Sequence, residues 1–306
     1  MIRGLCLLLC VAGMARSQAA ENKPATNCQL TRYAVLPMAT QPDGRFAIPV
    51  SVMGHDASFL VDTGGVSATM TGQLAKDLDM NPKPTNRWLN GVGGSVLYTF
   101  VYAKTFSIGR LTGTEIPVYI DPRIGGLGLD GTLSPDMMSQ FDVDIDFAKS
   151  TMNLFAPDHC PGQAVYWTKT PFLAIPMQVA ANSGHIRIPV VLDGKEAIAS
   201  IDTGADNTFM SMKVAEEFGI TEKSPELKIL HSFGAGGKFK EYSYPFKILD
   251  LGGITVKNPR VTIMSDEMLG GGLGREMTLG VSFLRQLHMY IAYKERKLYL
   301  TPAEAN

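Results

Sequence analysis

Two copies of a short apolar strand that ends in Asp-Thr-Gly constrain this sequence more than any other feature. The first copy, residues 59–64, reads FLVDTG, and the second, residues 199–204, reads ASIDTG. Asp-Thr-Gly alone is ordinary turn chemistry, because Asp and Gly both favour tight turns. Each copy, however, lies inside a longer matching frame. The repetition therefore indicates two related Asp loops that face one another.

The matching frame extends over most of the chain. A strand–turn–strand pattern precedes each Asp, a short helical pattern follows it, and a glycine-rich segment comes next, at 91–94 in one half and 234–237 in the other. Landmarks kept in order, with two small insertions, indicate a duplicated domain. The repeat is far longer than that of a solenoid, so we predict two lobes related by a pseudo-two-fold axis.

Composition favours an all-β fold. The 31 glycines and 18 prolines suggest many turns, and long helical patterns are scarce. We predict two closed β-barrel lobes with few short helices, the first at 42–157 and the second at 171–306. Prolines and a glycine indicate a linker at 158–170. Residues 21–41 are predicted to be an N-terminal tail or an edge strand.

The first twenty residues have the pattern of an export signal. Arg3 gives a positive start, Leu5 to Ala15 is mostly apolar, and small residues come before position 21. The pattern predicts a signal peptide and a periplasmic or secreted protein. A membrane anchor is the alternative, although the apolar run is short for a span. No later segment is long and apolar enough to cross a bilayer, so we expect no stable membrane insertion.

Two cysteines, Cys28 and Cys160, remain once the signal is removed. An even pair in an exported protein predicts a disulfide. It would tie the start of the mature chain to the end of the first lobe. Two free thiols are the alternative.

Charge and ligand patterns argue against several classes of partner. The formal net charge is −1 and no basic stripe stands out, so we predict no nucleic acid partner. The five histidines show no ligand spacing. Asp142, Asp144 and Asp146 alternate along one strand, and we expect their shared face to be solvated rather than to bind a metal. We predict no metal and no cofactor.

The Asp loops can support acid–base chemistry if the two lobes bring Asp62 and Asp202 together. Two carboxylates about 3 Å apart repel by roughly 5 kcal/mol at an effective dielectric near 20. The pair therefore holds one proton over a range of pH. One member can then act as a base on a water molecule while the protonated member polarises a carbonyl group.

Residues 201–208, which read IDTGADNT, resemble the active-site segment of the retropepsins, the retroviral-type aspartic proteases. Residues 59–67 resemble it more loosely, and 278–284 resemble the family's late Leu-Gly-x-x-Phe-Leu signature. The resemblance spans nearly all of the mature chain, as two retropepsin-like lobes fused in series in an exported bacterial type. It implies a water-activating dyad of the aspartic protease kind. The implied catalytic pair and its supports are Asp62, Asp202, Thr63, Gly64, Thr203 and Gly204.

The two glycine-rich segments resemble the flap tips of that family, since glycine supplies the backbone freedom that an opening flap needs. Two ordinary surface hairpin turns are the alternative. The resemblance implies that an extended polypeptide binds between the lobes, under the flaps, with apolar side chains flanking the cut. The implied flap glycines are Gly91, Gly93, Gly94, Gly234, Gly236 and Gly237.

The family implies an aspartic endopeptidase that hydrolyses peptide bonds with dyad-activated water. The alternative is a binding or scaffold protein of the same fold without proteolysis. It is motivated by the first lobe, where Gly65 and Ser134 depart from the family pattern. The covalent duplication makes pairing with a second chain unnecessary, so we expect a monomer.

The residue after each Asp-Thr-Gly bears on pH dependence. Neither Gly65 nor Ala205 carries a hydroxyl, whereas the pepsin-type Ser or Thr at this position does. A carboxylate that loses a hydrogen-bond donor has a higher pKa. We therefore predict a weakly acidic to neutral optimum rather than a strongly acidic one.

Overall fold

The computed structural model describes residues 29–91, 94–124, 128–159, 161–234, 237–265, 269 and 276–303. The predicted signal peptide lies outside the described residues. So do both partners of the predicted disulfide, Cys28 and Cys160, and two of the predicted flap glycines, Gly93 and Gly236. The expectations that concern them stay predictions.

Strands dominate the described residues, and the all-β prediction is confirmed. The four helices are short, and none within the described residues is long and apolar enough to cross a membrane. In the first half the elements are β1 (Arg32–Pro37), β2 (Ala39–Thr40), β3 (Phe46–Val52), β4 (His55–Val61), β5 (Thr69–Met70), α1 (Gly72–Asp77), β6 (Lys83–Gly91), β7 (Gly94–Ile108), β8 (Leu111–Ile120), β9 (Gly131–Leu133), α2 (Pro135–Met138), β10 (Asp142–Asp146) and β11 (Thr151–Phe155).

The second half repeats this order with small differences. Its elements are β12 (Leu173–Pro176), β13 (Gln178–Val179), β14 (Ile186–Leu192), β15 (Lys195–Ile201), β16 (Phe209–Ser211), α3 (Met212–Glu217), β17 (Lys228–Gly234), β18 (Gly237–Pro245), β19 (Ile248–Asp250), β20 (Thr255–Lys257), β21 (Arg260–Met264), β22 (Glu276–Leu279), α4 (Val281–Leu284), β23 (Leu287–Ala292) and β24 (Lys297–Pro302).

Alternating burial explains why these segments form strands. In β14, Ile186, Ile188, Val190 and Leu192 are buried, and the residues between them are more exposed. Successive side chains of a strand point to opposite faces, so one face of β14 packs into the core while the other faces outward. β3 shows the same alternation over most of its length. Both lobes contribute to one continuous apolar core.

The sheet of the first lobe closes on itself. Its strand order is β2-β3-β4-β9-β5-β8-β7-β6, and β3 also pairs with β7, which joins six of the strands into a barrel. In the second lobe, β18 and β19 take the place of β7, while β20 and β21 take the place of β8. Residues 258–259 separate β20 from β21. The interruption has a local cause, because Asn258 has a positive φ of 56° and Pro259 has no N–H to donate to a neighbouring strand.

A third sheet joins the two lobes. Its order is β1-β11-β10-β23-β24-β12, so each half supplies three strands and β1 forms one edge. The central pair is antiparallel, with Val143 opposite Ile291 and Ile145 opposite Met289. The order of the first three strands is mirrored in the last three. This sheet therefore carries the pseudo-two-fold relation between the lobes.

The expectation of a solvated face along β10 is wrong. Asp142 and Asp144 are completely buried and Asp146 is nearly so. His159 Nε2 lies 2.6 Å from Asp142 Oδ2, and His288 Nε2 lies 2.6 Å from Asp144 Oδ1. Buried carboxylates need such partners, because an isolated buried charge is very costly. Within the described ranges, no group of three or more acidic, His or Cys side chains is arranged to hold a metal ion.

The segment between β11 and β12 explains this burial. Its described residues form neither helix nor strand, and Tyr166 and Trp167 lie against the sheet that joins the lobes. The indole of Trp167 stacks on His288 with ring centroids 4.2 Å apart, and Tyr166 donates a 2.7 Å hydrogen bond to Asp144. Strand alternation alone could not reveal this cover, because it comes from a region with no periodic pattern.

Candidate active site

Each Asp loop begins where a buried strand ends. β4 ends at Val61 and β15 ends at Ile201, and the next residue in each case is the Asp. The backbone N–H of Asp62 donates to the carbonyl of Leu133 (2.9 Å), and that of Asp202 donates to the carbonyl of Leu279 (3.0 Å). The parallel neighbours β9 and β22 thus extend their ladders into the loops and hold both Asp backbones in place.

The two loops interlock through their threonines. The hydroxyl of Thr63 donates to the carbonyl of Ile201 (2.8 Å) and accepts from the N–H of Thr203 (3.0 Å). The hydroxyl of Thr203 donates to the carbonyl of Val61 (2.7 Å) and accepts from the N–H of Thr63 (3.1 Å). Both side chains are buried. Four reciprocal hydrogen bonds therefore join the lobes at the position that the two-fold relation requires.

Replacing Thr203 with valine is expected to lower the free energy of unfolding by about 2–3 kcal/mol. The side chain keeps its shape, but the carbonyl of Val61 and the N–H of Thr63 lose their buried partner. Thr203→Ser keeps the hydroxyl and should cost much less. Urea denaturation of both variants measures the difference, and equal midpoints for valine, serine and the wild type would contradict the interlock.

The two Asp side chains meet across this interlock. They lie close enough for each carboxyl to affect the pKa of the other, and the N–H of Gly64 donates to Asp62 Oδ1 (3.1 Å) while that of Gly204 donates to Asp202 Oδ1 (2.8 Å). A Cβ added to Gly64 would lie 2.2 Å from Asp202 Cγ, and one on Gly204 would lie 2.3 Å from Asp62 Oδ1. Only glycine allows the loops to approach this closely.

The environment of the pair favours a shared proton. Burial and the neighbouring Asp202 carboxylate raise the pKa of Asp62 to about 8. Burial also raises the pKa of Asp202, against the lowering effects of the N–H groups of Gly204 and Ala205 and of His185. The direction agrees with the elevated dyad pKa predicted from the loop residues. Between the two titrations the pair carries one proton, with Asp62 as its preferred holder.

Two basic residues, Arg45 and His185, lie beside the pair, although no sequence motif marks either of them. The register of β3 with β4 places Arg45 opposite Asp62, and the register of β14 with β15 places His185 opposite Asp202. Arg45 donates to the carbonyl of Gly204 across the lobe boundary (3.0 Å) and is also bound to a neighbouring carboxylate. The buried Nε2 of His185 has no hydrogen-bond partner among the described residues. The internal repeat could have identified Arg45 and His185, because each stands at the same distance in sequence before the Asp of its own lobe.

The described glycines of the two glycine-rich segments lie at the ends of paired strands in two long hairpins. Gly91 pairs with Gly94 where β6 turns into β7, and Gly234 pairs with Gly237 where β17 turns into β18. Both hairpins expose large apolar side chains, which is unusual for strands facing water. These are Trp88 and Leu97 on the first hairpin, and Ile229 and Leu230 on the second.

Comparison with known proteins agrees with this geometry. The sequence model of the family described as "Aspartyl protease" matches two separate regions, residues 48–136 and 188–283. Each region contains one Asp loop and the elements that hold it, and together they cover more than half of the chain. No curated protein matches the chain significantly. The chain therefore belongs to the aspartyl protease family, in its retropepsin-like form, with two copies of the family domain in one polypeptide.

Proposed function

We propose that the protein is an aspartic endopeptidase that hydrolyses peptide bonds with water activated by Asp62 and Asp202. The observation that carries this proposal is the pair of carboxyls brought face to face on two interlocked loops, with the pKa of Asp62 raised to about 8. A pair that holds one proton over a wide pH range supplies a base and an acid at one place. Membership of the family supports the same chemistry.

The unequal surroundings of the two carboxyls suggest their roles. Each carboxyl accepts from two backbone N–H groups, but only Asp202 has a basic side chain, His185, that favours its charged form, so Asp202 is the ionised member. It takes a proton from water as the water oxygen attacks the carbonyl carbon, and Asp62 gives its proton to the carbonyl oxygen. In the resulting diol, Asp202 then protonates the amide nitrogen and Asp62 takes back a hydroxyl proton. The C–N bond breaks, and the dyad returns with one proton.

The substrate is proposed to be an extended polypeptide that crosses the dyad between the two hairpins. The exposed apolar residues Trp88, Leu97, Ile229 and Leu230 support a preference for apolar side chains on both sides of the cut. Burying such surface favours binding by about 25 cal/mol per Å². Since one chain supplies both Asp loops, the enzyme is proposed to act as a monomer. Residues 1–20 support a location outside the cytoplasm.

The pH dependence of cleavage tests this proposal. At pH values below the titration of Asp202 both carboxyls are protonated and no base is present, and above about pH 8 both are ionised and no acid is present. We expect kcat/KM on a quenched fluorogenic peptide library to peak between weakly acidic and neutral pH and to fall above about pH 8. A statine-type inhibitor should abolish cleavage. A maximum near pH 2–3 would contradict the proposed dyad environment.

The same experiment addresses the alternative function. A folded protein that binds library peptides but cuts none of them at any pH would favour a binding or scaffold role. The motivating observation for that role is the departure of the first lobe from the family pattern at Gly65 and Ser134.

A further inference from the structure

The side chain of Ser134 is a buried hydroxyl with no assigned task. It is completely buried, and its Oγ has no hydrogen-bond partner among the described residues. Ser134 is the N-cap residue that precedes α2, yet its side chain makes no capping hydrogen bond. Leaving a buried hydroxyl unsatisfied is unfavourable. A neighbouring group that it can bind would remove this penalty.

The position of this hydroxyl relates it to the dyad. A Cβ added to Gly65 would lie 2.3 Å from Ser134 Oγ and 2.8 Å from Asp62 Oδ2. The hydroxyl thus fills the space that a side chain at position 65 would occupy, beside one oxygen of the Asp62 carboxyl. Gly65 leaves this space free of a side chain, and the side chain of Ser134 occupies it.

The second lobe has the reverse arrangement. There, Ala205 follows Asp-Thr-Gly and carries a side chain, while Gly280 stands at the place of Ser134. A Cβ added to Gly280 would lie 2.3 Å from the carbonyl oxygen of Asn207, so that site has no room for a serine. Among the described residues, a hydroxyl therefore occupies this position beside Asp62 but not the equivalent position beside Asp202.

The other groups that face Asp62 leave this role open. From its own loop, the N–H groups of Gly64 and Gly65 donate to its carboxyl, and from the opposite loop it meets Asp202. On α2, Asp136 accepts from the backbone N–H of Ala68 (3.0 Å). Arg45 is bound to the carbonyl of Gly204 and to Asp43, and His185 acts on Asp202. In the described part of the chain, no side-chain hydroxyl donates to Asp62.

We propose that Ser134 is a positioning residue of the dyad, whose hydroxyl donates to Asp62 Oδ2 when Asp62 is ionised. The inference deepens the proposed function and rests on it, since Asp62 becomes ionised after it has protonated the carbonyl oxygen of the substrate. A donor to the ionised form lowers the pKa of a carboxyl. Removing the donor should raise the pKa of Asp62 further.

The decisive experiment is a carbon-13 NMR titration of Asp-labelled protein, with the dyad signals assigned through Asp62→Asn and Asp202→Asn. We expect Ser134→Ala to move the upper titration of the pair upward by about one to two pH units, because the variant removes a hydrogen bond to the charged form of Asp62. The alkaline limb of kcat/KM should move with it. Ser139→Ala, an exposed serine at the other end of α2, is the matched control and should leave both unchanged.

Moving the hydroxyl provides the rescue. The double variant Gly65→Ser/Ser134→Gly places a hydroxyl beside Asp62 from the other backbone position, and its upper titration should return to within about 0.3 pH unit of the wild type. If Ser134→Ala does not fold, Ser134→Cys keeps the size with a weaker donor and should shift the titration in the same direction. An unchanged titration in Ser134→Ala, or a double variant that titrates like Ser134→Ala, would overturn the inference.

The titration separates this inference from the proposed function, because it requires no cleavage. A protein that cuts peptides but shows no shift in Ser134→Ala overturns the role of Ser134 alone. A protein that shows the shift but cuts no peptide overturns the proposed endopeptidase activity alone.

Discussion

Replacing Asp202 with asparagine is expected to lower kcat for peptide cleavage by about 10³- to 10⁴-fold. Asp202 is the member of the pair whose surroundings favour the ionised form, so its loss removes the base that accepts the proton of the attacking water. The amide of asparagine is close to isosteric and can still occupy the loop, so KM should change little. A loss confined to kcat indicates an interaction that operates in the transition state.

Steady-state kinetics on a single fluorogenic peptide measure this effect. Asp62→Asn should lose activity to a similar degree, because the pair then has no proton to give to the carbonyl oxygen. The matched control is Asp79→Asn, an exposed position whose φ of 50° suits asparagine as well as aspartate. Activity of Asp202→Asn within tenfold of the wild type would exclude the dyad as the catalytic centre.

Replacing His288 with alanine is expected to lower the free energy of unfolding by about 3–5 kcal/mol. His288 lies on β23, in the central pair of the sheet that joins the lobes, and contacts two buried carboxylates. Its Nε2 is 2.6 Å from Asp144, its Nδ1 is 3.5 Å from Asp146, and its ring stacks on Trp167. Alanine would leave both carboxylates short of a donor in the interior and would remove the stacking partner.

Urea denaturation followed by tryptophan fluorescence measures this change, because Trp167 reports on the same site. His55→Ala is the matched control, since His55 is exposed on β4, and it should stay within about 0.5 kcal/mol of the wild type. His288→Gln keeps a donor within reach of Asp144 and should cost less than alanine. If His288→Ala lowers the free energy of unfolding by less than about 1 kcal/mol, the His–Asp contacts contribute little to the stability of the sheet that joins the lobes.

The repeat made the overall fold and the Asp pair predictable. Strand periodicity and the offset between copies suffice for two related lobes, and a two-fold relation between lobes necessarily brings equivalent loops together. The interlock of Thr63 and Thr203 follows from the same symmetry. These features depend on local pattern and on the order of elements, both of which are legible in one sequence.

Other features depend on where the copies differ, and there the sequence alone was insufficient. Ser134 and Gly65 were noted as separate departures, although the structure places them in one shared space. The burial of Asp144 arises from a cover by Tyr166 and Trp167, which lie in a segment without periodicity. Tertiary packing of irregular segments leaves no periodic trace, so such contacts were not predictable.

The most direct test of the account is the digestion of a denatured protein at pH 6, with the products identified by mass spectrometry. The wild-type chain without its first twenty residues would be compared with Asp202→Asn at equal concentration. The account predicts new peptides with free carboxyl and amino ends, cut mainly between apolar residues, in the wild-type digest only. Identical peptide maps for the two proteins, with no cleavage or with the same cuts, would contradict it.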